Sequence, residues 1–486
     1  MLLSSFLTLL VLSTLRSPKE NKRDSDKKMM KSSEMGQMMW MNRLGMLVLS
    51  YVLMLMLNTM NMMTLMPGLT LLNNWLNVTS YNVPMMMLML LLMMGLLMYN
   101  ANMWYKKKEW KLLSRYYMML MMGNSMGLLL FPLVNDLLAL YMMMELQSYS
   151  LYLLTGLHNR SYNGSRASLL YFLMGGMASG MILLSMYFMY SLTGSTNLLD
   201  MSMMKKLLLL SNNNMNMNTY FDMLLMALLF KMGLAPLHRW SMGVYNYAPT
   251  YMTAYMSMVA KMSMSSWMFT NSMLFNNNLL IMFFYLSLLM GSYKPLYQMN
   301  MKTMLAYSGL LNFGYMMLSM MTFDMSFYMY MMQYTLTHMM MFLSMLAASE
   351  YINKPVSMWS PLIYIHQLKL PNLTLAMCMM LALFSLMGMP PLPGFYGKLY
   401  ILMSALQDNY MLESLILIMC SVMATYYYAN IMKMLMTSKT IKENMSNGNN
   451  NINLSLAYVI ATATMLLISF FMFLPFISEG LYLMTI

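Results

Sequence analysis

The sequence predicts an all-α polytopic membrane protein of about fourteen transmembrane helices, built as two inverted repeats with one interrupted helix in each. Three observations predict it. Hydrophobic residues make up 60% of the 486 and charged residues only 9%, against about 25% charged in a soluble domain, and the mean hydropathy is +0.54. Apolar runs long enough to cross a bilayer, ~20 residues, recur from end to end. Two of these runs, far apart in sequence, are broken by glycine and proline beside a lysine.

The runs centre near residues 9, 52, 93, 124, 147, 180, 227, 260, 284, 312, 338, 385, 422 and 465. The first is short; the twelfth is long and interrupted by Pro390, Pro391 and Pro393. Charge tests the count. If the helices alternate in direction, the gaps after the odd-numbered ones share a side, and those gaps hold 23 of the 28 lysines and arginines. Eight lie between Arg16 and Arg43, five more are Lys106, Lys107, Lys108, Lys111 and Arg115, and Lys302 is among the rest. The opposite gaps hold Lys205 and Lys206 alone. Such asymmetry sets the orientation of a membrane protein. An even number of helices then puts both termini on the side away from the basic loops. The chain divides into residues 1–112 (three helices and a basic loop), 113–275 (a first five-helix repeat), 276–436 (a second, inverted repeat) and 437–486 (a loop and a last helix).

Methionine is unusually common: 85 residues, against 15 isoleucines. Thioether clusters such as MMMLMLLLMM (85–94) suit Cu(I). Methionine here occupies every face of every segment, however, as a general replacement for isoleucine. A mitochondrial code that reads one isoleucine codon as methionine produces this, and methionine then serves as a flexible filler. The opening MLLSSFLTLLVLSTL has no basic lead and reads as a first helix, in keeping with synthesis inside the organelle. In an inner mitochondrial membrane the basic loops face the matrix and the termini face the intermembrane space.

Cys378 and Cys420 are too few for an iron–sulfur cluster, which takes about four thiolates, and read as small buried apolar residues. Neither G-x-G-x-x-G nor G-x-x-x-x-G-K-[ST] occurs. No cofactor, metal or nucleic acid is expected on this chain.

Three basic residues fall inside predicted spans: Lys231, Lys261 and Lys398. One acid, Glu145, joins them in LALYMMMELQSYSLYLL; Asp136 and Asp222 lie close to predicted helix ends. Ionisable groups at membrane depth cost roughly 2.5–3.5 kcal/mol on insertion scales and are functional candidates. One carboxylate cannot neutralise three amines, so at least two lysines lack an acid from this chain. Such amines can accept and release a proton. Glu145 is expected beside Lys231, whose hold on its proton then follows their separation. Lys231 precedes Gly233 and Pro236, and Lys398 follows MGMPPLPGFYG (387–397). Broken backbone at this depth is tolerated only within protein or beside water, and paired breaks point to inverted repeats with a midplane site. His338, in YTLTHMMMF, is a candidate relay; His238, after the first break, reads as interfacial. GNSMG (123–127) and GGMASG (175–180) permit close helix packing.

The segments ELQSYSLYLLTG (145–156), ASLLYFLMGGMASGMILLSMYFMYSLTGSTNL (167–198), FKMGLAPLHRWSMGVYNYAPT (230–250), TAYMSMVAKMSM (253–264), KTMLAYSGLLNFGYM (302–316) and GMPPLPGFYGKLYIL (388–402) resemble the chain 2 family of mitochondrially encoded, antiporter-like membrane subunits of NADH–ubiquinone oxidoreductase, respiratory complex I. The match runs in order over roughly residues 117–436. The resemblance implies fourteen helices, repeats over helices 4–8 and 9–13, discontinuous helices 7 and 12, and proton translocation through Glu145, Lys231, Lys261 and Lys398. It implies partners among the other membrane-arm and peripheral subunits, which carry NADH, FMN, the iron–sulfur clusters and ubiquinone, and phospholipids of the inner membrane. The sequence departs from the family at GVYNYAP (243–249), where many members have D-V-Y-E-G-A-P: Gly243 and Asn246 stand in place of two acids. A stand-alone Mrp-type cation/proton antiporter and a purely structural membrane scaffold are the competing readings.

Overall fold

The computed structural model describes residues 1–14, 40–58, 68–103, 116–157, 162–210, 217–350, 372–436 and 454–483. The loops that carry most of the expected charge asymmetry, residues 15–39 and 104–115, lie outside the described residues, as do 446–453 and most of the Asn-rich 211–219.

The helices are α1 (Leu2–Thr14), α2 (Trp40–Asn58), α3 (Asn82–Met103), α4 (Tyr117–Leu130), α5 (Leu137–Gly156), α6 (Tyr162–Thr193), α7 (Leu198–Leu210), α8 (Met217–Met232), α9 (Arg239–Tyr247), α10 (Thr250–Tyr255), α11 (Lys261–Thr270), α12 (Asn277–Tyr293), α13 (Met301–Thr322), α14 (Ser326–Glu350), α15 (Leu373–Met387), α16 (Pro393–Gln407), α17 (Met411–Met436) and α18 (Leu454–Leu483). Each of the fourteen expected centres falls in a helical segment. Among the described residues, six helices are long and apolar enough to cross a membrane by length and composition, α2, α5, α6, α12, α17 and α18.

Two features were not expected. A hairpin of β1 (Leu69–Leu71) and β2 (Leu76–Val78) precedes α3. Its turn carries Asn73 and Asn74 in the left-handed region at φ 53° and 68°, which asparagine tolerates better than most residues. Lys205 and Lys206, read as loop residues, lie on α7, and Lys205 Nζ donates to Leu274 O at 2.9 Å, tying α7 to the turn before α12. As expected, Asp136 sits at a helix end. It is the N-cap of α5 and accepts from Leu138 N at 2.9 Å, and Thr196 Oγ1 donates to its other oxygen at 2.9 Å.

Between membrane helices, close approach and interhelical hydrogen bonds do the work that water exclusion does elsewhere. The first G-x-x-x-G has this use. A Cβ on Gly127 would lie 3.0 Å from Gln147 N and 3.1 Å from Met143 O, so α4 lies backbone to backbone on α5. Asn124 then donates to Gln147 O and Ser150 Oγ, both at 2.9 Å, and Tyr255 Oη donates to Asn124 Oδ1 at 2.6 Å. In the second motif Gly175 packs on Tyr152, whereas Gly176 and Gly180 face open space. Helices α4, α5, α6, α8 and α9 form one cluster and α12 to α17 another; α9 and α10 meet α13 and α14 across the divide. Helix α13 is buried along almost its whole length, from Met301 to Met320. The methionine run of α3 packs inward, with Met85, Met86, Met89 and Met93 each nearly inaccessible. That packing suits methionine as a gap filler.

Candidate functional site

Helix α8 ends one residue after Lys231. Gly233 takes φ +69° and returns the chain; its N–H bonds to Phe230 O at 2.9 Å and the next bonds to Leu229 O at 3.2 Å. A side chain adds to this end: Trp240 Nε1 donates to the same Phe230 O at 3.2 Å. A Cβ on Gly233 would lie 2.5 Å from Ser241 Oγ. Gly233→Val therefore combines a left-handed non-glycine residue, about 1–3 kcal/mol, with a collision. Less assembled complex and a lower melting temperature of what remains are the expected results, read on native gels and by thermal unfolding.

Ending α8 here leaves Lys231 facing α5. Its Nζ donates to Glu145 Oε1 at 3.2 Å, with the lysine side chain 5% exposed and the glutamate 10%. Ser148 Oγ lies 3.3 Å from the second carboxylate oxygen and donates to it. The expected pair is formed, at hydrogen-bond distance and away from solvent.

Gln147, two residues past Glu145 and so on another face of α5, reaches the segment before Lys261. There the chain makes a π-helical turn, Met256–Ala260, which opens the regular ladder. Gln147 Nε2 donates to Ala260 O at 3.4 Å and Tyr334 Oη to Ser257 O at 3.4 Å, so carbonyls of this turn find side-chain partners. Lys261, 5% exposed, has no acid within ion-pair distance among the described residues. Its Nζ lies 4.8 Å from the ring centre of Phe313 and 5.2 Å from that of Tyr245, a cation–π environment. Beside it is a narrow cavity of about 10 Å³, roughly what one water needs, bordered by Lys261, Lys302, Ser257, Tyr245, Tyr334 and His338.

Lys302 corrects the sequence reading. Counted there as a loop residue, it is 2% exposed, and its Nζ donates to Ala248 O, at the C-terminal cap of α9, at 2.8 Å. A cation at a helix C-terminus is favourably placed. His238, read as interfacial, is 7% exposed and borders Tyr307. His338, on α14, is buried; its Nε2 meets Asn312 Nδ2 at 3.2 Å, and Tyr330 Oη donates to Asn312 Oδ1 at 3.0 Å.

The second break leaves α15 at Gly388, φ +90°, and re-enters at Pro393. Lys398, partly buried on α16, turns back across the gap. Its Nζ donates to Leu386 O at 2.8 Å and Met387 O at 3.0 Å, the last carbonyls of α15. Its Nζ is also 5.6 Å from the ring centre of Tyr315, which stacks on Tyr330 at 5.1 Å.

Residues 134–425 match the family described as NADH:quinone oxidoreductase/Mrp antiporter, TM. The NADH-ubiquinone oxidoreductase chain 2 of Debaryomyces hansenii is 59% identical over 454 residues, which cover 93% of this chain and 97% of that protein. The chain belongs to the NADH-ubiquinone oxidoreductase chain 2 family. The chain 2 of Candida albicans is 46% identical over 448 residues, 91% of each. Two solved structures share the chain 2 fold. A chain of respiratory complex I from Thermus thermophilus with bound Aureothin gives a TM-score of 0.74 at 20% identity, covering 97% of this chain and 96% of that one. A chain of the Mrp complex from Dietzia sp. DQ12-45-1b gives 0.77 at 15%, covering 99% and 95%. The fold is thus a mostly helical, antiporter-like membrane fold.

In this chain 2 member, Lys261 and Lys398 lie along one line of contacts, from Lys261 by the cavity to His338, Asn312, Tyr330, Tyr315 and Lys398. The Glu145–Lys231 pair lies apart from it on α5, the helix whose Gln147 reaches Ala260 O next to Lys261. Lys302, Asn312 and Tyr330 join the line from structure alone. A faint signal existed for Asn312, an amide inside the apolar run LAYSGLLNFGYM.

Proposed function

We propose that this chain is a proton-translocating membrane-arm subunit of respiratory complex I in the mitochondrial inner membrane. Electron transfer from NADH to ubiquinone takes place in other subunits, which hold the FMN and iron–sulfur clusters. The observation that carries the reading is the set of ionisable groups inside the bundle: the Glu145–Lys231 pair and three further amines, Lys261, Lys302 and Lys398, with carbonyl and aromatic partners instead of acids among the described residues. Intramembrane charge is retained where it serves transport.

The helices make fourteen crossings, with α8–α9, α10–α11 and α15–α16 each counting as one and α7 as none. They fall into inverted repeats over residues 113–275 and 276–436 around the two breaks. The basic loops face the matrix and both termini face the intermembrane space. Protons enter from the matrix side and move through Lys231, Lys261 and Lys398, with His338 as relay. Separation of Glu145 from Lys231 changes the electrostatic field on that lysine and starts the transfer. Exposed apolar residues such as Phe172 and Tyr187 on α6, Met419 on α17 and Phe476 on α18 suit a surface covered by neighbouring subunits and phospholipid. The stand-alone antiporter reading rests on fold likeness at 15% identity; the high identity is with chain 2 proteins.

Lys261→Met tests the proposal. The complex assembles, and in reconstituted vesicles its proton-to-electron ratio falls. An unchanged ratio refutes it. A scaffold role predicts the reverse: lowered stability with pumping intact in whatever assembles.

A further inference from the structure

The hydrogen bonds around His338 define more than its position. Tyr330 Oη occupies the Asn312 oxygen, so Asn312 presents only N–H to the imidazole, at 3.2 Å. Nε2 must then be the bare, accepting nitrogen, and the ring proton sits on Nδ1. Nδ1 is buried and has no hydrogen-bond partner among the described residues, and the ring borders the cavity it shares with Lys261 and Lys302. In this arrangement the ring nitrogen left without a partner, Nδ1, already carries the proton and cannot take one up.

Turning the Asn312 amide over reverses this and keeps the bonds to both Tyr330 and His338, with the hydroxyl of Tyr428, which also meets Asn312, turning from acceptor to donor. Oδ1 then accepts from Nε2–H, and Nδ2 donates to the Tyr330 oxygen, since a phenol both donates and accepts. The ring proton now sits on Nε2, and Nδ1, the nitrogen left over on the ring that borders the cavity, is bare. A proton can pass from the Lys261 ammonium through one water to Nδ1. An N–H bond of Lys261 breaks, an Nδ1–H bond forms, and an amine and an imidazolium result.

Resting on the proton-translocation reading above, we infer that Asn312, anchored by Tyr330, is a positioning residue that gates proton uptake by His338, with the amide orientation found here as the closed state. Neither Asn312 nor Tyr330 carries the proton. Their amide–phenol pair decides which nitrogen of His338 can.

The test uses the intact complex in sealed vesicles, with an imposed pH gradient and no electron flow. Asn312→Leu removes the amide. Tyr330→Phe removes only the anchoring hydroxyl and leaves the stack on Tyr315. Each is expected to let the gradient decay about tenfold faster, the effect of losing a hydrogen bond of about 1.4 kcal/mol. Adding Lys261→Met to either variant returns the decay to the wild-type rate, because the leak passes through that amine. A merely structural role would lower assembly without producing a leak that Lys261→Met abolishes. If Lys261→Met alone impairs pumping while both gate variants hold the gradient as well as wild type, the gate is overturned and the proposed function stands. If Lys261→Met alone pumps normally, both fall. Should Asn312→Leu not assemble, Tyr330→Phe decides.

Discussion

Replacing Lys231 with methionine is expected to abolish pumping through this chain, and the loss will persist after stability is restored. The substitution leaves Glu145 buried with only hydroxyl side-chain partners, Ser148 and Tyr149, and no counter-charge among the described residues. Removing one member of a buried ion pair costs about 3–5 kcal/mol, whereas replacing both members by neutral groups of similar size is often nearly neutral. Lys231→Met alone should therefore lower the melting temperature of the complex. Lys231→Met combined with Glu145→Gln should bring it most of the way back. Pumping separates the roles. If the pair serves only packing, the double variant pumps as wild type does; if it starts the transfer, the double variant is stable and does not pump. Proton-to-electron ratio in vesicles and thermal unfolding of the same preparations give both readouts. A double variant with a normal ratio would sink the proposed role.

The second large effect is expected at Lys398, where two substitutions should part company. Lys398→Met loses both hydrogen bonds to the end of α15, each worth about 1.5–3 kcal/mol when the donor is charged. Hydrogen exchange in residues 388–392 should speed up, and proton transfer should fall by about 10²-fold or more, the scale of removing a positioned acid–base group. Lys398→Arg keeps a cation able to donate to those carbonyls, but guanidinium does not release its proton in proteins. The arginine variant should show near-native exchange at the break and should still fail to pump. Normal pumping by the arginine variant would show that Lys398 holds the break together and carries no proton.

Glu145, Lys231, Lys261 and Lys398 were legible in the sequence for one reason: each is an ionisable residue within an apolar run, and the cost of burial makes it conspicuous. The two breaks were legible because glycine and proline act locally. Lys302 was hidden by its neighbours. Gln298 and Asn300 make its surroundings look like a loop, and its burial comes from α9 arriving 54 residues upstream in sequence. The π turn before Lys261 leaves no trace in MSMVAKMSM, where every residue suits an ordinary helix. The pairing of Asn312 with His338 spans two helices and 26 positions. Abundant methionine deepens the difficulty, because faces toward lipid and faces toward protein are equally apolar, and the helical pattern that separates them in soluble proteins is absent.

The two breaks hold their lysines by unlike means, and this gives the proposed path a direction. The counter-charge of Lys231 is a carboxylate on a side chain, which can swing away. The partners of Lys398 are main-chain oxygens at the end of α15, which cannot leave unless the helix itself unravels. On the proposed path, one end can thus be set from outside by displacing a single flexible group, while the other is a seat held by the backbone. Under that proposal, input belongs to the movable end and release to the fixed one.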